Sequence, residues 1–234
     1  MIKTYIIDGF TNMAFFVTIL LYRYISDYEG IESFLIKIDK KNILRFFKGC
    51  IIGLSAVFLY IMINVCLKNA KLHFESKNPG QIIAALSASA FCFLWVAVFE
   101  EALFRGYIMQ KLLKRYSPLK ASIMNSFLFG ILHYFRYSSN TKFFLPGILN
   151  VTLAGILFSY TVIRSNSLMY SIGCHMTWDF ISVLLFAEPF SLCHVTLNAG
   201  LLSGSSTVPE SGLILTVLSA AAVIPLNIFM HKAK

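Results

Sequence analysis

Long, nearly uninterrupted apolar runs occupy about residues 6–22, 43–67, 82–104, 121–135, 143–163, 168–187 and 212–230. Crossing about 30 Å of hydrocarbon takes about 20 residues of helix, so each run is long enough or nearly so, the fourth being short. Backbone inside lipid has to satisfy its own hydrogen bonds, which makes these runs helices. The pattern predicts an all-α, polytopic transmembrane helix bundle of about seven spans, with residues 1–234 forming a single integral membrane domain. Between the third and fourth runs, RGYIMQKLLKRY at 105–116 mixes apolar and basic residues at helical spacing and predicts an interfacial amphipathic helix. NAGLLSGSSTVPESG at 198–212 is rich in Gly and Ser and predicts a mobile outer turn. No internal repeat or low-complexity tract is visible.

Composition agrees with lipid as the main solvent. Hydrophobic residues make up 57% of the 234 and charged residues 13%, with a mean hydropathy of +0.72; soluble domains hold about 45–50% and about 25%. The net charge of +9 does not point to nucleic acid, because the basic residues fall between apolar runs, where the positive-inside rule puts them. With seven spans, 14 Lys and Arg share one side, including Arg23, Lys37, Lys40, Lys41, Arg45, Lys48, Arg164, Lys232, Lys234 and the basic residues from Arg105 to Lys120. Six share the other: Lys3, Lys68, Lys71, Lys77, Arg136 and Lys142. That count predicts a multi-pass cell-membrane protein with its N-terminus outside and its C-terminus in the cytoplasm. The first run lacks the basic flank and small-residue cleavage site of a signal peptide and reads as a retained helix. Cys50, Cys66, Cys92, Cys174 and Cys193 show no redox or metal spacing and read as small buried hydrophobes.

Ionisable side chains within a span are costly unless paired or hydrated, so the few present are functional candidates. Glu100 and Glu101 close the third run in VAVFEEALFRGY. Glu101 and Arg105 stand one helical turn apart and share a face, while Glu100 is turned about 100° away and stays free to face the bundle. His133 lies in FLFGILHYF between Phe129 and Phe135, and SIGCHMTWDF sets His175 and Asp179 four residues apart on one face. Singly, each has an ordinary account: a helix-end ion pair, a core histidine, a structural His–Asp hydrogen bond. Depth links them. At 1.5 Å per residue, Glu100 and Glu101 lie roughly 5–10 Å from the cytoplasmic end of their helix, His175 about 10 Å, Asp179 about 16 Å and His133 about 20 Å. These depths predict a water-filled pocket opening toward the cytoplasm, with His133 at its floor.

In this order, Glu100-Glu101-xxx-Arg105, Phe129-xxx-His133 and His175-xxx-Asp179 resemble the CPBP family, the CAAX proteases and bacteriocin-processing enzymes also called Abi proteins, over about residues 95–190. The resemblance implies an intramembrane endopeptidase with an all-helical core. It implies that Glu100 activates water, that Glu101 supports it, and that His133 and His175 are the two essential histidines, with Arg105 and Phe129 in support. At Asp179 the prenyl-protein branch carries Asn, and bacterial members carry Asn or Asp. An ionised Asp only accepts hydrogen bonds, whereas Asn can donate to an oxyanion. Asp179 therefore either orients His175 or binds a metal.

Peptide hydrolysis needs a water, a base, positive charge near the oxyanion and an acid for the leaving amine, and Glu100 suits the base. His133 and His175 either stabilise the oxyanion as imidazolium or, with Glu100 and Asp179, hold a Zn²⁺ that lowers the pKa of water to about 7. No HExxH is present, and the sequence leaves the cofactor as none or Zn, the metal-free scheme being preferred. The expected partners are the lipid bilayer and a hydrophobic or membrane-anchored peptide, in bacteriocin or pheromone processing or self-immunity, with no nucleic acid. A composition rich in Lys, Ile and Phe is compatible with a low-GC Gram-positive bacterium. A non-proteolytic membrane scaffold or regulator is the alternative, and intact Glu100, His133 and His175 weigh against it. A small transporter would show broken helices in inverted repeats, and the sequence has neither.

Overall fold

The computed structural model describes residues 2–74, 78–137, 141–186 and 193–231. Lys77, Lys232 and Lys234 of the charge count, and the side chain of Cys193, lie outside the described residues. The helices are α1 (Ile2–Ser26), α2 (Lys40–Cys66), α3 (Pro79–Glu101), α4 (Met109–Leu113), α5 (Pro118–Leu132), α6 (Tyr134–Tyr137), α7 (Thr141–Ser165), α8 (Met169–Phe186) and α9 (Leu213–His231). Every apolar run is helical, and the fold is the expected all-α polytopic bundle. Among the described residues, four helices are long and apolar enough to cross a membrane: Ile2–Ser26, Lys40–Cys66, Pro79–Leu113 and Thr141–Ser165. Pro118–Leu132 and Leu213–Ile224 are shorter apolar helices.

Helix starts follow from local chemistry. Asp39 caps α2 by accepting from the Asn42 N–H at 2.8 Å. Asn78 and Ser117 cap α3 and α5, each followed by a proline at the first helical position, where no donor is lost. Lateral packing relies on small residues, as it must where lipid is as apolar as any side chain. The buried positions of α1 are Gly9, Phe16 and Arg23, two turns apart on the face that meets α3. On α2 the stripe Gly49, Gly53, Val57, Tyr60 and Asn64 faces α8. A Cβ on Gly49 would stand 2.2 Å from the Tyr170 carbonyl oxygen, and one on Gly173 would stand 2.1 Å from that of Phe46. The remaining α2 surface, Ile51 and Phe58 among it, is exposed to lipid.

Three features depart from the sequence expectations. The stretch 105–116 is not a separate interfacial helix: Ala102–Ile108 is a π-helical turn that joins α3 to α4, making one helix from Pro79 to Leu113. The wider turn changes the backbone bonding pattern, and side chains donate to carbonyls within it. Gln110 Nε2 donates to the Arg105 carbonyl at 3.0 Å, and Arg23 Nη1 donates to that of Gly106 at 2.8 Å. Second, 198–212 is built into the fold rather than a loose outer turn. Gly200 bridges Gly204, Tyr60 donates to the Pro209 carbonyl at 2.7 Å, and Pro209–Ser211 is a buried 3₁₀ turn. Its Gly content serves tight geometry: Gly204 has φ +73° and the Pro209 carbonyl oxygen 2.8 Å from where its Cβ would be. Third, a two-stranded antiparallel sheet pairs β1 (Ala70–Phe74) with β2 (Cys193–Leu197), Leu72 opposite Val195.

These contacts sort the loops to two ends. At the basic end, Arg23 meets Gly106, Phe34 packs on Gly106, Leu168 N–H bonds the Leu35 carbonyl and Ser167 bonds Asn42. At the opposite end the sheet, the 198–212 segment and the tips of α2, α5, α7 and α9 form a cap.

Candidate active site

Glu101 is the buried centre of a five-residue cluster. Its Oε1 accepts from Arg105 Nη1 at 2.9 Å, across one helical turn, and from His175 Nδ1 at 3.1 Å, across the α3–α8 contact. Neither Glu101 nor Arg105 has any exposed side-chain surface. The other nitrogen of the same imidazole, Nε2, lies 3.7 Å from Glu100 Oε2 and 3.4 Å from Asp179 Oδ2. His175 is thus held between carboxylates on both edges. Phe158 stacks on its face with ring centroids 5.5 Å apart.

The second histidine arrives from α5. His133 is the residue at which α5 ends, and its Nδ1 donates to the Phe129 carbonyl at 2.8 Å, so in the neutral ring the lone pair sits on Nε2. Phe129 links the two halves of the site. Its ring lies 4.7 Å from His133, 6.2 Å from His175 and 4.3 Å from the Arg105 guanidinium. Such a guanidinium over an aromatic face gains cation–π attraction in a dry setting.

A cavity of about 360 Å³ brings Glu100, Phe129, His133, His175 and Asp179 to one wall, whereas Glu101 and Arg105 lie behind it. One helix position therefore separates two carboxylates with different surroundings, as the 100° turn between neighbours requires. Exposure rises along the cluster, from none at Glu101 through 22% at Glu100 to 30% at Asp179. The cavity runs toward the capped end, where Arg136, Tyr137, Asn150 and Glu210 line it; none of its lining residues lies in 102–128 or 159–173, at the basic end. The expected pocket with His133 at its floor is corrected accordingly. α5 begins at Pro118 and stops at Leu132, so His133 stands at the helix end nearest the cap, and the sealed Glu101–Arg105 pair closes the opposite side.

Arg136, Tyr137, Asn150, Phe158 and Glu210 escaped the sequence reading. Arg136 was counted there only as a loop charge. It donates from Nε to Glu210 Oε1 at 2.5 Å, and Tyr137 donates to the same oxygen at 3.0 Å. Asn150 Nδ2 holds the Glu210 and Gly212 carbonyls at 2.7 and 3.0 Å. Partners 60 and more residues apart leave no local spacing to detect.

A zinc site needs several ligands within about 2 Å of one point, and among the described residues no three His, Cys, Asp or Glu side chains form such a group. The contacts present are hydrogen bonds and ion pairs, with Nδ1 of His175 turned to Glu101 and Nδ1 of His133 turned to a carbonyl. We derive no step through a metal.

Comparison with known proteins matches residues 82–181 to the family described as type II CAAX prenyl endopeptidase Rce1-like. This stretch contains all three motifs and the cluster around His175. The uncharacterized protein YyaK of Bacillus subtilis strain 168 is 28% identical over 148 residues, which cover 60% of this chain and 48% of YyaK. The chain therefore spans about half the length of that curated relative. No solved structure matches. The Rce1-like stretch and the apolar helices together make this a multi-pass membrane protein.

Proposed function

We propose that this protein is an intramembrane endopeptidase that hydrolyses a peptide bond in a hydrophobic or membrane-anchored peptide, with residues 1–234 acting as one membrane domain. The observation that carries the reading is the division between neighbours: Glu100 lines the cavity beside His175, while Glu101 is locked to Arg105 behind it. A carboxylate that faces an apolar-walled cavity and has imidazole within reach of one water is arranged to act as a general base. Glu100 takes a proton from water, and the hydroxide attacks the scissile carbonyl. As imidazolium, with Nδ1–H on Glu101, His175 stabilises the oxyanion through its Nε2 N–H, and Glu100 passes the proton it took from water to the leaving amine. His133 holds the water, which donates to the lone pair on Nε2. Glu101 and Asp179 fix the His175 ring, and Arg105 fixes Glu101.

The charge count favours the C-terminus inside, which turns the capped end and its cavity outward. An outward cavity suits a peptide met at the cell surface, as in pheromone or bacteriocin processing or self-immunity. Purified protein in detergent should cleave a fluorescence-quenched peptide of Leu, Phe and Ala, and Glu100→Gln should not. Cleavage that persists in Glu100→Gln overturns the mechanism; no cleavage by the parent, with a phenotype that survives Glu100→Gln, leaves the scaffold role. A reporter fused after Lys234 that is active only outside the cytoplasm reverses the orientation.

A further inference from the structure

The wall of the cavity carries Glu100, Asp179 and Glu210, yet Arg136 is the sole Lys or Arg among its described residues. The acid of the Arg136–Glu210 pair is part of the wall: Glu210 is 11% exposed at its side chain, bonded by Tyr137, and its backbone is gripped by Asn150. The arginine is the outer partner, its side chain 54% exposed. A guanidinium has five N–H donors in a planar fork, and the bond to Glu210 Oε1 runs through Nε, at one edge of it. A second carboxylate meets the two terminal nitrogens side by side without displacing the first. Between this cation and Glu100 the wall is largely apolar, with Phe93, Val96, Leu157 and Trp178, and it holds two buried polar atoms without a described partner, Asn150 Oδ1 and Ser182 Oγ. An apolar stretch of peptide, its backbone N–H and C=O groups meeting those atoms, fits such a surface.

We propose that Arg136 is a binding subsite for a carboxylate carried by the peptide substrate, oriented by Glu210 and Tyr137, so that the protein selects apolar peptides bearing a negative charge on one side of the cleaved bond. The subsite deepens the peptidase reading and rests on it for the word substrate, though not for the binding itself. The carboxylate is either a free C-terminus or a Glu or Asp side chain.

The test titrates the full-length parent in detergent with fluorescent Leu/Ala/Phe peptides in three forms: C-terminal acid, C-terminal amide, and amide with one internal Glu. At least one carboxylate form should bind about tenfold more tightly than the plain amide, the gain of a charge-assisted bond. Preference for the acid alone identifies a free C-terminus, and preference for the Glu peptide an acidic side chain. Arg136→Gln should erase the preference and Arg136→Lys retain part of it. Glu210→Gln should keep or raise it, since the guanidinium remains. Equal binding of all three peptides by the parent, or equal loss in Glu210→Gln and Arg136→Gln, overturns the subsite in favour of a tie that only holds the cap. Cleavage of all three peptides with equal affinity leaves the peptidase reading standing without the subsite. Selective binding without cleavage does the reverse.

Discussion

The Arg105–Glu101 pair spans one helical turn and has no exposed surface on either side chain, whereas Arg136–Glu210 joins segments 74 residues apart and leaves its arginine more than half exposed. The second pair lines the cavity and the first does not. In the first, low dielectric makes each charge depend on the other, so losing one leaves an orphan that costs about 3–5 kcal/mol. In the second, the more than half-exposed arginine weakens the attraction by leaving the cation open to solvent. The same two residue types thus do different jobs: a sealed pair fixes a third group, His175, and an open pair is available to a ligand.

Glu100 sits one residue from the sealed pair and belongs to neither, so substituting it sharpens the contrast most. Glu100→Gln, His133→Ala and His175→Ala should each lower peptide hydrolysis at least about a thousandfold while membrane levels stay unchanged. Full activity in all three would show that the open wall has no catalytic meaning. Next in size, Arg105→Ala should lower stability by about 3–5 kcal/mol, read as detergent thermal unfolding or loss of membrane protein. An Arg105→Ala protein as stable as the parent would erase the distinction between the pairs. Asp179→Asn should keep kcat/KM within about tenfold, because an amide oxygen still accepts from the imidazole. An inactive Asp179→Asn together with inhibition of the parent by a chelator would bring back the metal scheme. Arg136→Gln should lower stability less than Arg105→Ala does, since Tyr137 still donates to Glu210, and act mainly through KM.

The smallest effect concerns Asp39, outside the spans, whose carboxyl is held below its usual range chiefly by the Asn42 backbone N–H it caps. A depressed carboxyl contributes stability that is complete above its unfolded pKa of about 3.9 and is lost as pH falls through the folded value. Thermal midpoints taken from neutral to strongly acidic pH should therefore fall slightly less in Asp39→Ala than in the parent.

What could be read in advance follows the same division between local and distant. Apolar run length is a property of contiguous sequence, and it located every long helix. The i,i+4 spacing exposed Glu101–Arg105 and His175–Asp179, and the 100° step separated Glu100 from Glu101. The π turn at 102–108 has no local spacing to betray it, and the side chains that bond its carbonyls, Arg23 and Gln110, lie outside it. Strands β1 and β2 are short and lie in loops far apart in the chain, so neither has a partner until the bundle closes. The direction of the cavity failed for a geometric reason: depth counted along each helix says nothing about how far a helix of 15 residues reaches across the bundle.

The glycine seam between α2 and α8 bears on how a substrate gets in. Gly49, Gly53 and Gly173 bring the two backbones so close that a single added methyl group collides with a carbonyl oxygen. Helices interlocked at that range leave no gap between them, and this seam lies directly behind the helix that carries His175. That flank of the molecule is a closed wall, so any chain that reaches the cavity under the proposed function enters elsewhere around the bundle.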